Sequence, residues 1–372
     1  MTSTRSLAVL LAVTAAACSG GGSSRQQSFG DATPSAAALS VTVDAAPATT
    51  AAAAVAAPAP LTAIEAADPC HPHLFVRTEA LAARLNRHLA KALDRIEHVI
   101  ARTPELSSGT DVTWDEVRDG VEIRFTMTRS GDVYTWSLDL RPAGGTDAQW
   151  ATALSGDIDR TGATGPHQGK GAFTVDLDAL QKVIATETAR GKLTATFTVT
   201  AKKRVIDLTA AGVVWDPDSD GDGLGHVSPL DASYHYVREP GVGGSLAMTD
   251  AMVFLCPANP TLAAADVTLA SRWYVASDGA VHGRADARAT GGQLASGDAI
   301  LGVTCHQGPT GGTAAEGYWM MKLEDSTLAT VQSWTAQGSP AACDPAFGAV
   351  PLATAPTSDY DFSAPVTFPG EI

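Results

Sequence analysis

The densest run of groups able to do chemistry is Asp216-Pro217-Asp218-Ser219-Asp220-Gly221-Asp222-Gly223-Leu224-Gly225-His226. Carboxylates at alternate positions, with glycines that permit sharp turns, can supply the all-oxygen shell that Ca²⁺ takes. Asp216, Asp218, Asp220 and Asp222 are the candidate ligands, and Asp231 is placed to close the shell. The twelfth positions of the two registers that fit are Val227 and Pro229, not the bidentate Glu such loops use. The competing reading is an acidic, solvated turn between strands.

Both registers resemble the calcium loops of EF-hands and of related secreted repeats, although no amphipathic helices flank the run. The resemblance implies a structural Ca²⁺ rather than a catalytic one. Other constellations are weaker. Cys70-His71-Pro72-His73 has metal-binding residue types, but two histidines around a proline seldom suffice alone. His88 and His98 stand ten apart on one predicted helix and do not share a face. All four read as ordinary surface histidines. Gly243-Gly244-Ser245-Leu246-Ala247 does not complete the nucleophile elbow that presents a catalytic serine. Ser155-Gly156-Asp157-Ile158-Asp159 reads as a turn with a strand end. Trp136, Trp150, Trp215, Trp273, Tyr274, Tyr318 and Trp319 read as core and cross-strand pairs rather than a binding platform.

Charge narrows the partners. Lys and Arg total 25 against 40 Asp and Glu in 372 residues. So acidic a surface repels phosphate backbones, which argues against nucleic acid. At the amino terminus, Arg5 precedes a short apolar run over residues 7–13, followed by small residues. That is the layout of a secretory signal, too short to span a bilayer. Ala15-Ala16-Ala17-Cys18 resembles the lipobox of bacterial lipoproteins. The resemblance implies cleavage after residue 17, a diacylglyceryl thioether on Cys18, and anchoring to a membrane of the bacterial cell envelope. Ser19, rather than Asp, implies outer-membrane sorting by the same resemblance.

Residues 18–66 follow as a lipidated cysteine and an Ala-, Pro- and Ser-rich tether. Phe29 is its sole aromatic residue, so it buries too little to offset its ordering entropy. Cys18 aside, Cys70, Cys256, Cys305 and Cys343 form an even set suited to two disulfides in an oxidising compartment. The local pair Cys305–Cys343 is favoured, leaving Cys70–Cys256.

Residues 67–372 must position whatever site exists. Leu81, Leu85, Leu89, Leu93, Ile96 and Ile100 recur at helical spacing, predicting one long amphipathic helix over 79–102 with Thr78 as its cap. Eleven alternating runs predict strands from 121–128 to 318–323, interrupted by a short helix over 177–190. After Gln337 the tail reads as coil. The fold class expected is α+β, mainly antiparallel β: a meander or partial barrel packed against the long helix. Residues 257–265 are a candidate sub-boundary, although one continuous fold is preferred. The functional expectation is a lipid-anchored envelope lipoprotein with a non-enzymatic binding or structural role. It would hold an unidentified protein or small-molecule ligand. Two alternatives stand beside it: a carrier of lipid or lipidated protein in a half-barrel cavity, and a secreted hydrolase with a structural Ca²⁺.

Overall fold

Alternation of apolar and polar side chains dictates strands with one dry and one wet face, and the chain builds them in series. A computed structural model describes residues 24–42, 71–79, 109–184, 189–214, 230–256, 259–276, 279–292, 294–308, 315–333 and 336–339. It also describes positions 82, 83, 85, 86, 90, 93, 96, 106 and 107. Helix α1 (Ser24–Asp31) precedes β1 (Leu106–Ser107), β2 (Asp111–Arg118), β3 (Val121–Ser130), β4 (Val133–Pro142), β5 (Ala151–Asp159) and β6 (Gly169–Asp176). After α2 (Leu177–Val183) come β7 (Arg190–Val199), β8 (Arg204–Val214), β9 (Leu230–Glu239), β10 (Gly243–Cys256) and β11 (Asn259–Val275). The series ends with β12 (Val281–Gly291), β13 (Ala299–Gly308), β14 (Ala315–Glu324), β15 (Thr330–Ser333) and β16 (Gln337–Gly338).

Strands β1 to β15 lie side by side in chain order, with β16 added to β14. Among the described residues the path does not close, so the sheet is an open antiparallel meander. Of the candidate sub-boundary over 257–265, residues 259–265 lie on β11, whose pairing with β10 runs from Gly243↔Tyr274 to Cys256↔Asn259, and 257–258 lie outside the described residues.

The inner face carries the core. Trp114, Phe125, Trp136, Phe173 and Phe197 follow one another across it, with ring centroids 5.5, 6.2, 6.5 and 6.3 Å apart. Gly156 on β5 makes room for them: a Cβ there would lie 2.6 Å from Trp136 Cζ2 and 2.8 Å from Phe173 Cβ. The outer face is different. Thr113, Thr126, Ser137, Ser155, Thr174, Thr194, Thr209, Ser233, Thr249 and Thr268 stand opposite one another in one lateral row from β2 to β11. Threonine suits that row, since its branched Cβ favours a strand while its hydroxyl stays hydrated.

Two expectations need correction. Residues 24–42, assigned by composition to the tether, form an arm packed into the core. Phe29, Ala32, Leu39 and Val41 are 1, 0, 1 and 3% exposed, and Phe29 meets Tyr134 edge-on at 5.6 Å. Asn86 locks the arm's end, Oδ1 accepting the Val41 N–H and Nδ2 donating to Val41 O, both at 2.6 Å. The Tyr236 hydroxyl accepts the Thr42 N–H and donates to Thr42 O, each at 3.0 Å. Burial pushes that phenol's pKa up, while the bonds to Thr42 pull the other way. A few large apolar side chains therefore outweigh the poor average of the segment. The rest of the expected tether lies outside the described residues.

Thr78 is the second correction. Helical backbone begins already at Leu74, so Thr78 sits inside the helix and its Oγ1 donates to Leu74 O at 2.7 Å instead of capping. Of the predicted helix over 79–102, positions 79, 82, 83, 85, 86, 90, 93 and 96 are helical. The others lie outside the described residues. Leu74, Ala82, Leu85, Leu93 and Ile96 join the strand side chains in one core cluster. Small residues let this segment approach: a Cβ on Gly302 would lie 3.3 Å from Pro72 Cβ.

Helix α2 is shorter than expected, capped by Asp176, whose Oδ1 accepts the Ala179 N–H at 2.9 Å. Residues 337–338, expected as coil, pair with Tyr318 and Trp319. No helix among the described residues is long and apolar enough to cross a membrane.

Candidate functional site

The outward positions of β4 to β8 form a shallow groove of about 470 Å³, lined among others by Asp157, Asp159, Lys170, Thr196, Val205 and Asp207. Register explains its shape. Asp157, Ala172, Thr196, Asp207 and His235 stand in one lateral row, and Ala172 leaves a depression between longer neighbours. Asp159 faces Lys170 across β5–β6, with 3.6 Å between carboxylate and ammonium. At the far wall His235 Nδ1 lies 2.6 Å from Asp207 Oδ1, and Thr196 Oγ1 donates to Asp207 Oδ2 at 3.3 Å.

Asp159 is the electrostatically distinctive group. The Thr161 hydroxyl and backbone N–H, which stabilise the ionised form, hold its carboxyl below the usual carboxylate range. The sign follows from linkage: with a lowered folded pKa, its contribution to stability is full above the ordinary carboxylate pKa. It is lost as pH falls through the lowered value. Thr161→Val is expected to move the Asp159 titration upward in carboxyl-detected NMR. An unmoved titration would remove the hydroxyl as its cause.

Asp207 orients His235 as an acid orients the base of a nucleophilic triad. The neighbouring outward serine on β10 is Ser245, which lies diagonally across from His235. Yet Ser245 Oγ and His235 Nε2 are both buried and not bonded to each other. The flanking N–H groups are committed to the antiparallel ladder and are not free to stabilise an oxyanion. The dyad therefore lacks a presented nucleophile and an oxyanion donor among the described residues.

The other expected sites fare as follows. Asp216, Asp218, Asp220 and Asp222 lie outside the described residues, as does His226. Asp231 is described and exposed, and its Oδ1 accepts the Gly212 N–H at 2.8 Å. No group of three or more potential metal ligands occurs among the described residues. His73 is buried rather than on the surface, and its ring lies 3.8 Å from that of His71, which stacks on Trp319 at 4.6 Å. His88 and His98 lie outside the described residues. The guanidinium carbons of Arg124 and Arg141 lie 4.7 and 4.4 Å from the centre of the Trp150 ring. Trp136, Trp273 and Trp319 are buried, so these side chains do not assemble one platform. Trp215 lies outside the described residues.

Cys305 is fully buried and disulfide-bonded. Cys256 ends β10 at the opposite end of the sheet from the row of Cys305, which crosses β10 at Ser245. Cys18, Cys70 and Cys343 lie outside the described residues.

Sequence reading missed the Asp207–His235 and Asp159–Lys170 pairs. The members of each pair stand on different strands, and no local motif joins them. No protein-family model matches the chain, and no curated protein or solved structure matches it significantly.

Proposed function

We propose that the chain is a lipid-anchored envelope lipoprotein with a non-enzymatic binding role, exerted through the polar outer face of its sheet. The groove over β4 to β8 carries this reading: carboxylates, hydroxyls and one ammonium converge there without a presented nucleophile. Such a lining suits a polar or cationic partner surface. The carrier alternative draws less support, because side chains of the arm and of the segment after Leu74 pack against the inner face. Cys18 would bear the acyl anchor, and Cys305 with Cys343 the more local disulfide. A Ca²⁺ held by the 216–231 run would be a structural addition to this reading.

The test uses the full lipidated chain in intact envelopes, with a photoreactive amino acid at Thr196. A discrete cross-linked product is expected, lost when Asp157→Lys and Asp207→Lys are combined. No product from Thr196, together with abundant product from an inner-face control at Val41, would sink the outer-face reading.

A further inference from the structure

The turns of a meander alternate between two ends of the sheet. One end, called proximal here, carries the turns at 131–132, 160–168, 200–203 and 240–242. The distal end carries those at 119–120, 143–150, 292–298 and 325–329, and also α2. Asn86 apart, the hydrogen bonds and ring contact that join the arm to the strands and turns are proximal. Phe29 packs on Tyr134, the second residue of β4. His167, in the 160–168 turn, donates its N–H to Asp31 O at 2.7 Å, and its Nδ1 lies 2.6 Å from Thr33 O. Arg204 at the start of β8 donates to Ser40 Oγ at 3.1 Å, and Arg238 near the end of β9 donates to Thr42 Oγ1. Only six peptide steps separate Cys18 from Ser24 at the start of α1, a span of about 20 Å when fully extended.

The two ends also differ in charge. Among the described residues, proximal turns carry Arg160, Lys202 and Lys203 against Asp132, whereas distal turns and α2 carry Asp119, Asp147, Asp178, Asp298 and Asp325 against Lys182. Asp119 and Asp147 are offset by Arg118 and Arg141 at 3.5 and 2.7 Å, which leaves Asp178, Asp298 and Asp325 as the distal excess. Lys203 is offset by Glu239 at 3.7 Å. Arg160 and Arg204, by contrast, give their described hydrogen bonds to the neutral oxygens of Gly165 and Ser40, which leaves the guanidinium charge in place. Lys202 is exposed.

We propose that the protein stands on its membrane by the proximal rim, with the basic turns around Arg160 and Lys202 against anionic lipid headgroups. The acidic end then points outward, one strand length or about 30–35 Å further from the bilayer. The proposal rests on the reading of Cys18 as the acylated residue. The short link brings the rim to the surface, and the opposite charges of the two ends select which of them faces it. The effect operates within a Debye length of about 8–10 Å.

The full lipidated chain in vesicles of phosphatidylcholine and phosphatidylglycerol carrying a headgroup-bound quencher tests this. A fluorescent amino acid is placed at Ala201 in a proximal turn, or at Leu328 in a distal one. Quenching at position 201 is expected to exceed that at 328 by about fivefold or more, given the screening length. Lys202→Glu, at an exposed residue, should shrink the contrast below about twofold at an unchanged melting temperature. Equal quenching at both positions, with the acyl mass present on the N-terminal peptide, overturns the orientation alone. Absence of that mass overturns the anchor reading, and the orientation falls with it.

Discussion

Replacing Phe29 and Leu39 together by alanine is expected to cost about 5–10 kcal/mol of unfolding free energy. Both side chains are almost completely buried and belong to the main core cluster. Phenylalanine truncation in a core costs about 3–5 kcal/mol and leucine truncation about 2–5, the spread depending on how far the site collapses. A typical domain has only about 5–15 kcal/mol in hand, so a large fraction of this variant should be unfolded at room temperature. Urea titration followed by tryptophan fluorescence measures the change. A loss below about 1 kcal/mol would mean that the arm lies outside the cooperative unit and that 24–42 is tether after all. Ala37→Ser, at an exposed position of the same arm, serves as the control.

The second large effect concerns Trp273, which is completely buried on the inner face of β11. Its indole lies over Gly244 of β10, its directly paired residue. A Cβ on Gly244 would lie 2.9 Å from Trp273 Cε2 and 2.8 Å from Val237 O. Gly244→Ala is therefore expected to destabilise by about 1–3 kcal/mol through overpacking. Trp273→Ala should cost about 3–5 kcal/mol through the cavity it leaves. Combined, they should cost less than the sum, by about 1–2 kcal/mol, because the indole that the new methyl would strike is gone. Full additivity in a double-mutant cycle would show that the glycine is needed for the backbone carbonyl of Val237 and not for the ring.

Much of the sheet is legible in the sequence because period-2 alternation is a local property. Nine of the eleven alternating runs lie wholly on strands, the other two overrun theirs by one residue, Leu177 and Ala280, and Ser130-Gly131-Asp132 spans the predicted β3–β4 hairpin turn. Two long strands escaped for identifiable reasons. In β5 a bulge opposite Leu138 and Asp139 turns both Ala153 and Leu154 inward, and Gly156 stands where an apolar side chain would have marked the face. In β2 the inward position 116 is a glutamate, while Val117 is 67% exposed, which inverts the expected pattern at the strand's end. An inward-facing charge near a sheet edge is a known guard against edge-to-edge association. The arm escaped because composition averages over residues, whereas burial is decided by Phe29, Leu39 and Val41 individually. Of the groove, Asp157 and Asp159 were noticed but read as a turn with a strand end, whereas both lie on β5. The rest was not legible: Asp207 meets His235 only through the register of β8 on β9, 28 positions apart in the chain.

The strict chain order of the sheet has a consequence in time. Each strand from β2 to β15 pairs with the one made just before it, so the meander can extend hairpin by hairpin with short loop closures. The arm obeys a different clock. Thr33 meets His167 across 134 positions, and Thr42 meets Tyr236 across 194. For a chain made from its amino terminus, the first folded segment to emerge is thus among the last to dock. Until β9 is in place, the apolar positions that Phe29, Leu39 and Val41 will cover stand open to water and to other chains. That interval, rather than the finished fold, is when the protein is most exposed to aggregation.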